Sequence, residues 1–258
     1  MTVVELGQSA AFGQSDADVR FEWGPVGAAH LAGGGACVVV IDVLSFTTAV
    51  TVVTGRGMAV YPRRWEDPGA QEFAAEHDSR LVVRRRELSA ENPWSLSPAV
   101  LRTAPVTPRL VMPSPNGSTI AAAVVSTDNT VVAASLRNAA AVGRWLVAGG
   151  YGTSTHPAVI IAAGERWRDG SLRPALEDGL GAGAVLGHLR AAGCGLSAEA
   201  QAMVAMVEAT GDVVAALRSC GSARQLVNAG YGADVDVAAE LDCEETVPVV
   251  HEGAFRAS

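Results

Sequence analysis

The stretch Cys37-Val38-Val39-Val40-Ile41-Asp42-Val43-Leu44-Ser45-Phe46-Thr47-Thr48-Ala49-Val50 constrains the fold more than any other in the chain. Its first half is an unbroken β-branched run. A strand of that kind needs cover on both faces, as in the parallel sheets of α/β proteins. The run stops at Asp42, an acid that an apolar interior does not accept unpaired, so Asp42 is expected at a strand end. In open α/β sheets ligands bind at the carboxyl ends of the strands. Thr47 and Thr48 stand where the next helix should open, with hydroxyls and free backbone N–H groups suited to an anion. Strand, acid and hydroxyls together form the candidate centre of a site for an anion and a metal.

The rest of the chain repeats this alternation. Residues 26–31 read as a short helix, and Gly33-Gly34-Gly35 as a connector, because the glycines precede a strand instead of following one. Residues 47–54 read as a helix, 58–61 as a strand ended by Pro62, 67–77 as a helix with Pro68 in its first turn, and 81–83 as a strand. Residues 84–108 are proline-rich and aperiodic, a loop expected to cover the site. Strands follow at 110–112, 130–134 and 157–162, with helices at 120–125 and from Asn138 through Val147. Four apolar strands thus run into polar turns at Asp42, at Asn116, at Ser135 to Asn138, and at Gly164 to Arg166; parallel strands would gather these turns at one edge. Gly179, Gly181 and Gly183 in a helical segment imply close packing or a kink, since each costs up to about 1 kcal/mol relative to Ala. Residues 184–239 read as mostly helical, and 246–250 as a last strand at a sheet edge, because Pro248 lacks a donor. The expected fold class is α/β, a layered α/β/α arrangement around a central mixed or mostly parallel sheet.

Composition narrows the chemistry. The formal charge is −8, which disfavours a nucleic-acid partner. All 19 cationic side chains are Arg and none is Lys, which removes the Walker A loop, protein-kinase chemistry, Schiff-base aldolases and pyridoxal phosphate enzymes. Negative charge must therefore meet Arg, backbone N–H or metal. No apolar stretch is long enough for a membrane span, and residues 1–18 lack a signal-peptide pattern. The reading is a loose leader over 1–18, one domain over 19–258, and a cytoplasmic location; homo-oligomerisation stays open. Cys37, Cys194, Cys220 and Cys243 form no CxxC pair, and the five His show no zinc spacing.

Asp42 as a metal ligand or catalytic carboxylate competes with Asp42 as the N-cap of the next helix. Glu177 and Asp178 compete with a plain charged helix start. Together the three offer the oxygen ligands Mg²⁺ prefers, with water and substrate phosphate completing an octahedron. Asn116-Gly117-Ser118 is a turn, and also a source of amide donors for an oxyanion. Arg137, Arg166 and Arg168 read individually as solvated side chains.

Taken together, the segments resemble the 2-phosphosulfolactate phosphatase family. The likeness rests on Ile41-Asp42-Val43-Leu44 with Thr47-Thr48, on Asn116-Gly117-Ser118, on Ser135 with Asn138-Ala139-Ala140-Ala141-Val142, and on Ala163-Gly164. It continues through Glu177-Asp178 with Ala182-Gly183, Ser222-Ala223-Arg224-Gln225-Leu226, Gly230, Asp234 and Val247-Pro248-Val249. The resemblance implies a Mg²⁺-dependent phosphatase acting on a small anionic phosphate ester, 2-phospho-3-sulfolactate, in the route to coenzyme M. It implies Asp42, Glu177 and Asp178 at the metal and in catalysis, with Thr47, Thr48, Asn116, Gly117, Ser118 and Asn138 on the substrate. The family pattern has an arginine after Asp-Val-Leu, where this chain has Ser45-Phe46, and another after Asn-Gly-Thr, where Thr119 stands. Its middle loop carries Gly-Glu-Arg where this chain has Arg84-Arg85-Arg86, any of which is a candidate replacement. The alternatives are a phosphatase for a different small ester, or an anion-binding protein that keeps the fold without the chemistry.

Overall fold

In the computed structural model, which describes residues 12–125 and 128–258, the strands in chain order are β1 (Val19–Trp23), β2 (Cys37–Ile41), β3 (Ala59–Arg64), β4 (Arg80–Leu81), β5 (Arg109–Ser114), β6 (Thr130–Ala134), β7 (Ala158–Ala162), β8 (Glu165–Arg166), β9 (Leu172–Arg173), β10 (Pro248–His251) and β11 (Ala254–Ala257). The helices are α1 (Gly24–Leu31), α2 (Phe46–Gly55), α3 (Ala70–Glu76), α4 (Pro98–Leu101), α5 (Gly117–Val124), α6 (Ala139–Ala148), α7 (Leu176–Ala191), α8 (Ala198–Thr210), α9 (Val213–Ser219), α10 (Gly221–Asn228) and α11 (Gly232–Ala238). Nine strands form one sheet in the order β1-β7-β2-β6-β10-β11-β3-β5-β4, and β8 and β9 make a separate hairpin.

The Cys37–Ile41 run lies inside this sheet as β2. β2 pairs in parallel with β6 on one side and β7 on the other, and all five of its residues are buried. Because successive side chains of a strand point to opposite faces, Val39 and Ile41 join the core under α6 and α7, while Val38 and Val40 join the core under α1, α2 and α5. The fold is therefore α/β, with helices on both faces of a mostly parallel sheet, as the unbroken apolar run requires.

β3, β4 and β5 form a second parallel group. The β10–β11 hairpin joins it to the first through one bridge on each side, Val249 with Val132 and Phe255 with Val60. Val38 and Val40 of β2 share one core cluster with Val60 of β3 and Leu110 and Met112 of β5, so the sheet curls around α2 and α5. Strand twist of about 20–25° per step accumulates across five steps from β2 to β5. These two strands run in opposite senses within the sheet, and their carboxyl ends meet where the Gly117 N–H bonds Asp42 Oδ2.

Several boundaries differ from expectation. β3 runs through Pro62 instead of ending there: β11 touches β3 only at Val60, so no second neighbour needs the missing donor. β10 is not an edge; it lies between β6 and β11, and Pro248 is tolerated as its first residue. The 84–108 segment holds a 3₁₀ turn at Arg85–Glu87 as well as α4. Of the expected leader, residues 1–11 lie outside the described residues, and Gln14 is buried with its amide bonded to both backbone groups of Phe21. No single helix among the described residues is long and apolar enough to cross a membrane.

Candidate active site

Asp42 sits immediately after β2 and is buried. Its Oδ2 accepts from the Gly117 N–H at 2.7 Å and its Oδ1 from the Phe46 N–H at 3.4 Å, so it bridges the starts of α5 and α2 instead of simply capping one of them. Gly117 is required by this contact: a Cβ there would lie 2.6 Å from Asp42 Cβ and 2.8 Å from Phe46 Cδ1. Burial pushes the Asp42 carboxyl up to about 7; Glu165 and Glu177 add to that, while the N–H bonds from Gly117 and Phe46 pull it back.

Asp178, at the start of α7, accepts from Val43 N–H and Gly164 N–H, both at 2.8 Å. It thus pins the exits of β2 and β7 to one helix. Burial, then Asp42, then Glu177 hold its carboxyl well above the usual range. Glu177 is also buried, and lies beside Cys220, whose thiol is pushed up to about 12 by burial first and by Glu177 second. The sequence-predicted acids are therefore neighbours, and Asp42 is the one that lines the adjoining cavity.

The predicted hydroxyl ligands have other employment. Thr47 Oγ1 donates to the Asp42 carbonyl at 2.8 Å and accepts from the Asp42 N–H at 3.0 Å, and Thr48 Oγ1 donates to the Val43 carbonyl at 2.8 Å. Both are fully buried and hold the turn that aims Asp42. Ser118 Oγ lies 2.7 and 2.8 Å from the carbonyls of Met112 and Arg63, to either of which its one proton can be donated, and accepts from the Arg63 N–H at 2.9 Å, joining β5 to β3. Asn138 accepts from the Ser135 N–H at 2.9 Å and donates to the Thr246 carbonyl at 3.1 Å. None of these four lines the cavity, whereas Asn116 does.

The cavity has a volume of about 680 Å³. Asp42, Glu165 and Asn116 form its polar floor, with Asn116 Nδ2 donating to Glu165 Oε2 at 3.1 Å. Burial raises the Glu165 carboxyl, the Asn116 bond lowers it, and Glu177 raises it again. Glu165 lies in one of the four polar turns picked out from sequence; the polar strand exit was the signal, and its side chain was the residue not chosen. Arg85, Arg166, Arg168 and Arg173 supply the cationic wall. Arg166 and Arg168 are exposed as expected but stand at a site, whereas Arg137 is buried against Glu240 and the Val237 carbonyl.

Of the three loop arginines, Arg85 is the one in this cavity. Its Nε donates to Asp234 Oδ2 at 2.9 Å and its Nη2 donates to the Ser45 hydroxyl, the position where the family pattern carries an arginine of its own. Asp234 is buried and also accepts from Ser97 Oγ and from the Ala99 N–H, so one carboxylate fixes the loop and orients the guanidinium.

Magnesium is bound through one or two carboxylates, with water and substrate phosphate completing its shell. Among the described residues no three Asp, Glu, His or Cys side chains form a ready ligand group, so Asp42, Glu177 and Asp178 are not a preformed triad. Asp42 raises the Asp178 carboxyl and Glu177 raises both, a crowding of like charge that a divalent cation would relieve. The donor set fits a hard cation held by one or two carboxylates.

Fold and site together define a class: an α/β protein whose strand exits gather buried carboxylates beside an arginine-walled cavity. The model of the 2-phosphosulpholactate phosphatase family matches residues 28–253, and the chain belongs to that family. A protein of Deinococcus radiodurans named "Probable 2-phosphosulfolactate phosphatase" is 33% identical over 146 residues, covering 56% of this chain and 57% of that protein. The match thus spans little more than half of that relative.

Proposed function

We propose that the protein hydrolyses a phosphate monoester with the help of Mg²⁺ held at Asp42 and Asp178, Glu177 lying close behind. The observation that carries this reading is the buried Asp42 carboxylate, aimed by Gly117 and Phe46 into an arginine-walled cavity, in a chain of a phosphatase family. When bound, the ion offsets the negative charge that gathers on the phosphoryl oxygens. Arg85, Arg173 and Asn116 orient those oxygens, and Arg85 is preorganised for this by Asp234. Glu165, whose carboxyl burial raises above its ordinary value, gives its proton to the leaving alcohol oxygen as the ester P–O bond breaks. Water oxygen bonds to phosphorus, one of its protons stays on the phosphate, and the other restores Glu165. The relative's name makes 2-phosphosulfolactate one ester to try.

The test is phosphate release from a panel of phosphomonoesters, with Mg²⁺ and with chelator. Mg²⁺-dependent release is expected, reduced at least about 100-fold in Asp42→Asn and in Glu165→Gln. Binding of esters without release of phosphate across the panel would instead identify an anion-binding protein.

A further inference from the structure

We infer that the phosphate ester this cavity accepts carries a planar aromatic group on its leaving side. The inference deepens the phosphatase reading and rests on it. Of the five tryptophans in the chain, Trp65 and Trp167 are the exposed ones, at 37% and 57%, and both line this cavity. Large rings left facing water around a concavity mark a surface that a ligand covers. The backbone beneath each ring is fixed: the Trp65 main-chain N–H donates to Thr119 Oγ1 at 3.3 Å, and the Trp167 main-chain N–H donates to the Ser171 carbonyl at 2.9 Å across the β8–β9 hairpin. An arginine lies over each, Arg84 at 4.9 Å from the Trp65 centroid and Arg173 at 5.5 Å from that of Trp167. Arg85 stands in the same relation to Tyr231 at 5.1 Å. A guanidinium over a ring face is attracted to it and restrains the ring.

Size points the same way. A cavity of about 680 Å³ is of the scale that holds ligands of many atoms, and a second hollow of about 510 Å³ abuts it across Trp65, Arg85, Leu96 and Tyr231. An ester on a three-carbon skeleton fills little of that space. One phosphate on the floor and one ring against the tryptophans satisfies the wall as built.

Calorimetric titration with phenylphosphonate, methylphosphonate and a compact competitor, 2-phosphoglycerate, tests this without turnover and without any leaving-group effect. In the Mg²⁺-loaded protein phenylphosphonate is expected to bind at least tenfold more tightly than methylphosphonate. In Trp65→Ala and in Trp167→Ala that ratio falls toward one. The ratio is read on folded protein, so a general loss of structure lowers both affinities and leaves it unchanged. Equal affinities for the two phosphonates, or tighter binding of 2-phosphoglycerate than of phenylphosphonate, overturns the inference and leaves the phosphatase reading standing. Absence of phosphate release from every ester in the panel removes the phosphatase reading, and the phosphonate ratio then still decides whether the ring subsite exists.

Discussion

A hydrogen atom in place of a side chain at Gly117 decides how the site is built. The distances of 2.6 Å to Asp42 Cβ and 2.8 Å to Phe46 Cδ1 leave a methyl group no position that does not move the carboxylate or the ring. Gly117→Ala is expected to cost about 1–3 kcal/mol of stability, the range for overpacking, and to lower phosphate release more than that loss of fold accounts for. Urea unfolding and assays on the folded fraction separate the two; full activity in a stable variant would show that the approach of Gly117 to Asp42 is not needed. At this scale the sequence was legible in part. An acid closing a buried apolar run has few places to be, so Asp42 could be read. Thr47, Thr48, Ser118 and Asn138 could not be assigned, because a hydroxyl or amide at a strand exit serves a ligand and the local backbone equally well. Here each of the four is bonded to backbone.

At the level of elements, α7 shows why Gly179, Gly181 and Gly183 stand so close together in one helix. The helix runs unbroken over Leu176–Ala191, so they serve close packing and not a kink. A Cβ at Gly181 would meet Val43 and Ile41 side chains at 2.8 and 2.9 Å, and one at Gly183 would lie 2.3 Å from the Met203 carbonyl of α8. Gly187, in the same helix, has nothing within 4 Å of that position. Gly183→Ala should therefore destabilise by roughly 1–3 kcal/mol despite better helix propensity, whereas Gly187→Ala should stabilise by up to about 1 kcal/mol. Equal effects in thermal unfolding would reject the packing argument. The 84–108 segment depends on one buried ion pair. Asp234→Ala removes the partner of Arg85 and the acceptor for Ser97 and Ala99, with an expected cost of about 2–4 kcal/mol and faster proteolysis within the segment. Apolar runs made β2, β6 and β7 readable. β1, β11 and the β8–β9 hairpin escaped because short, half-exposed strands carry no such run and are held by the neighbours they pair with.

Across the whole molecule the buried carboxylates make stability a function of pH and of cation. Asp42 is raised from 3.8 to about 7 in the folded chain, and Asp178 and Glu165 are raised as well. A group with a raised folded pKa contributes stability that is complete below its unfolded pKa and is lost as pH rises through the folded value. For Asp42 that window runs from about 4 to about 7. Without divalent cation the folded chain holds more protons than the unfolded one over that range, so stability should fall with rising pH by about 1.4 kcal/mol per unit for each proton held. Glu240 works in the opposite sense, being lowered from 4.5 to about 2 first by its hydrogen bond to Arg102, but its contribution is lost only as pH falls through that lower range. The two effects are thus separated in pH. Saturating Mg²⁺ is expected to stabilise most at the upper end of the Asp42 window, where its ligands are ionised, and so to flatten the slope; Asp42→Asn should flatten it with no cation added. Thermal unfolding between pH 4.5 and 7.5 in chelator and in Mg²⁺ measures both. A melting temperature that climbs steadily with pH in chelator, or a slope indifferent to Mg²⁺, would mean that these carboxylates neither hold protons in the folded chain nor share a cation.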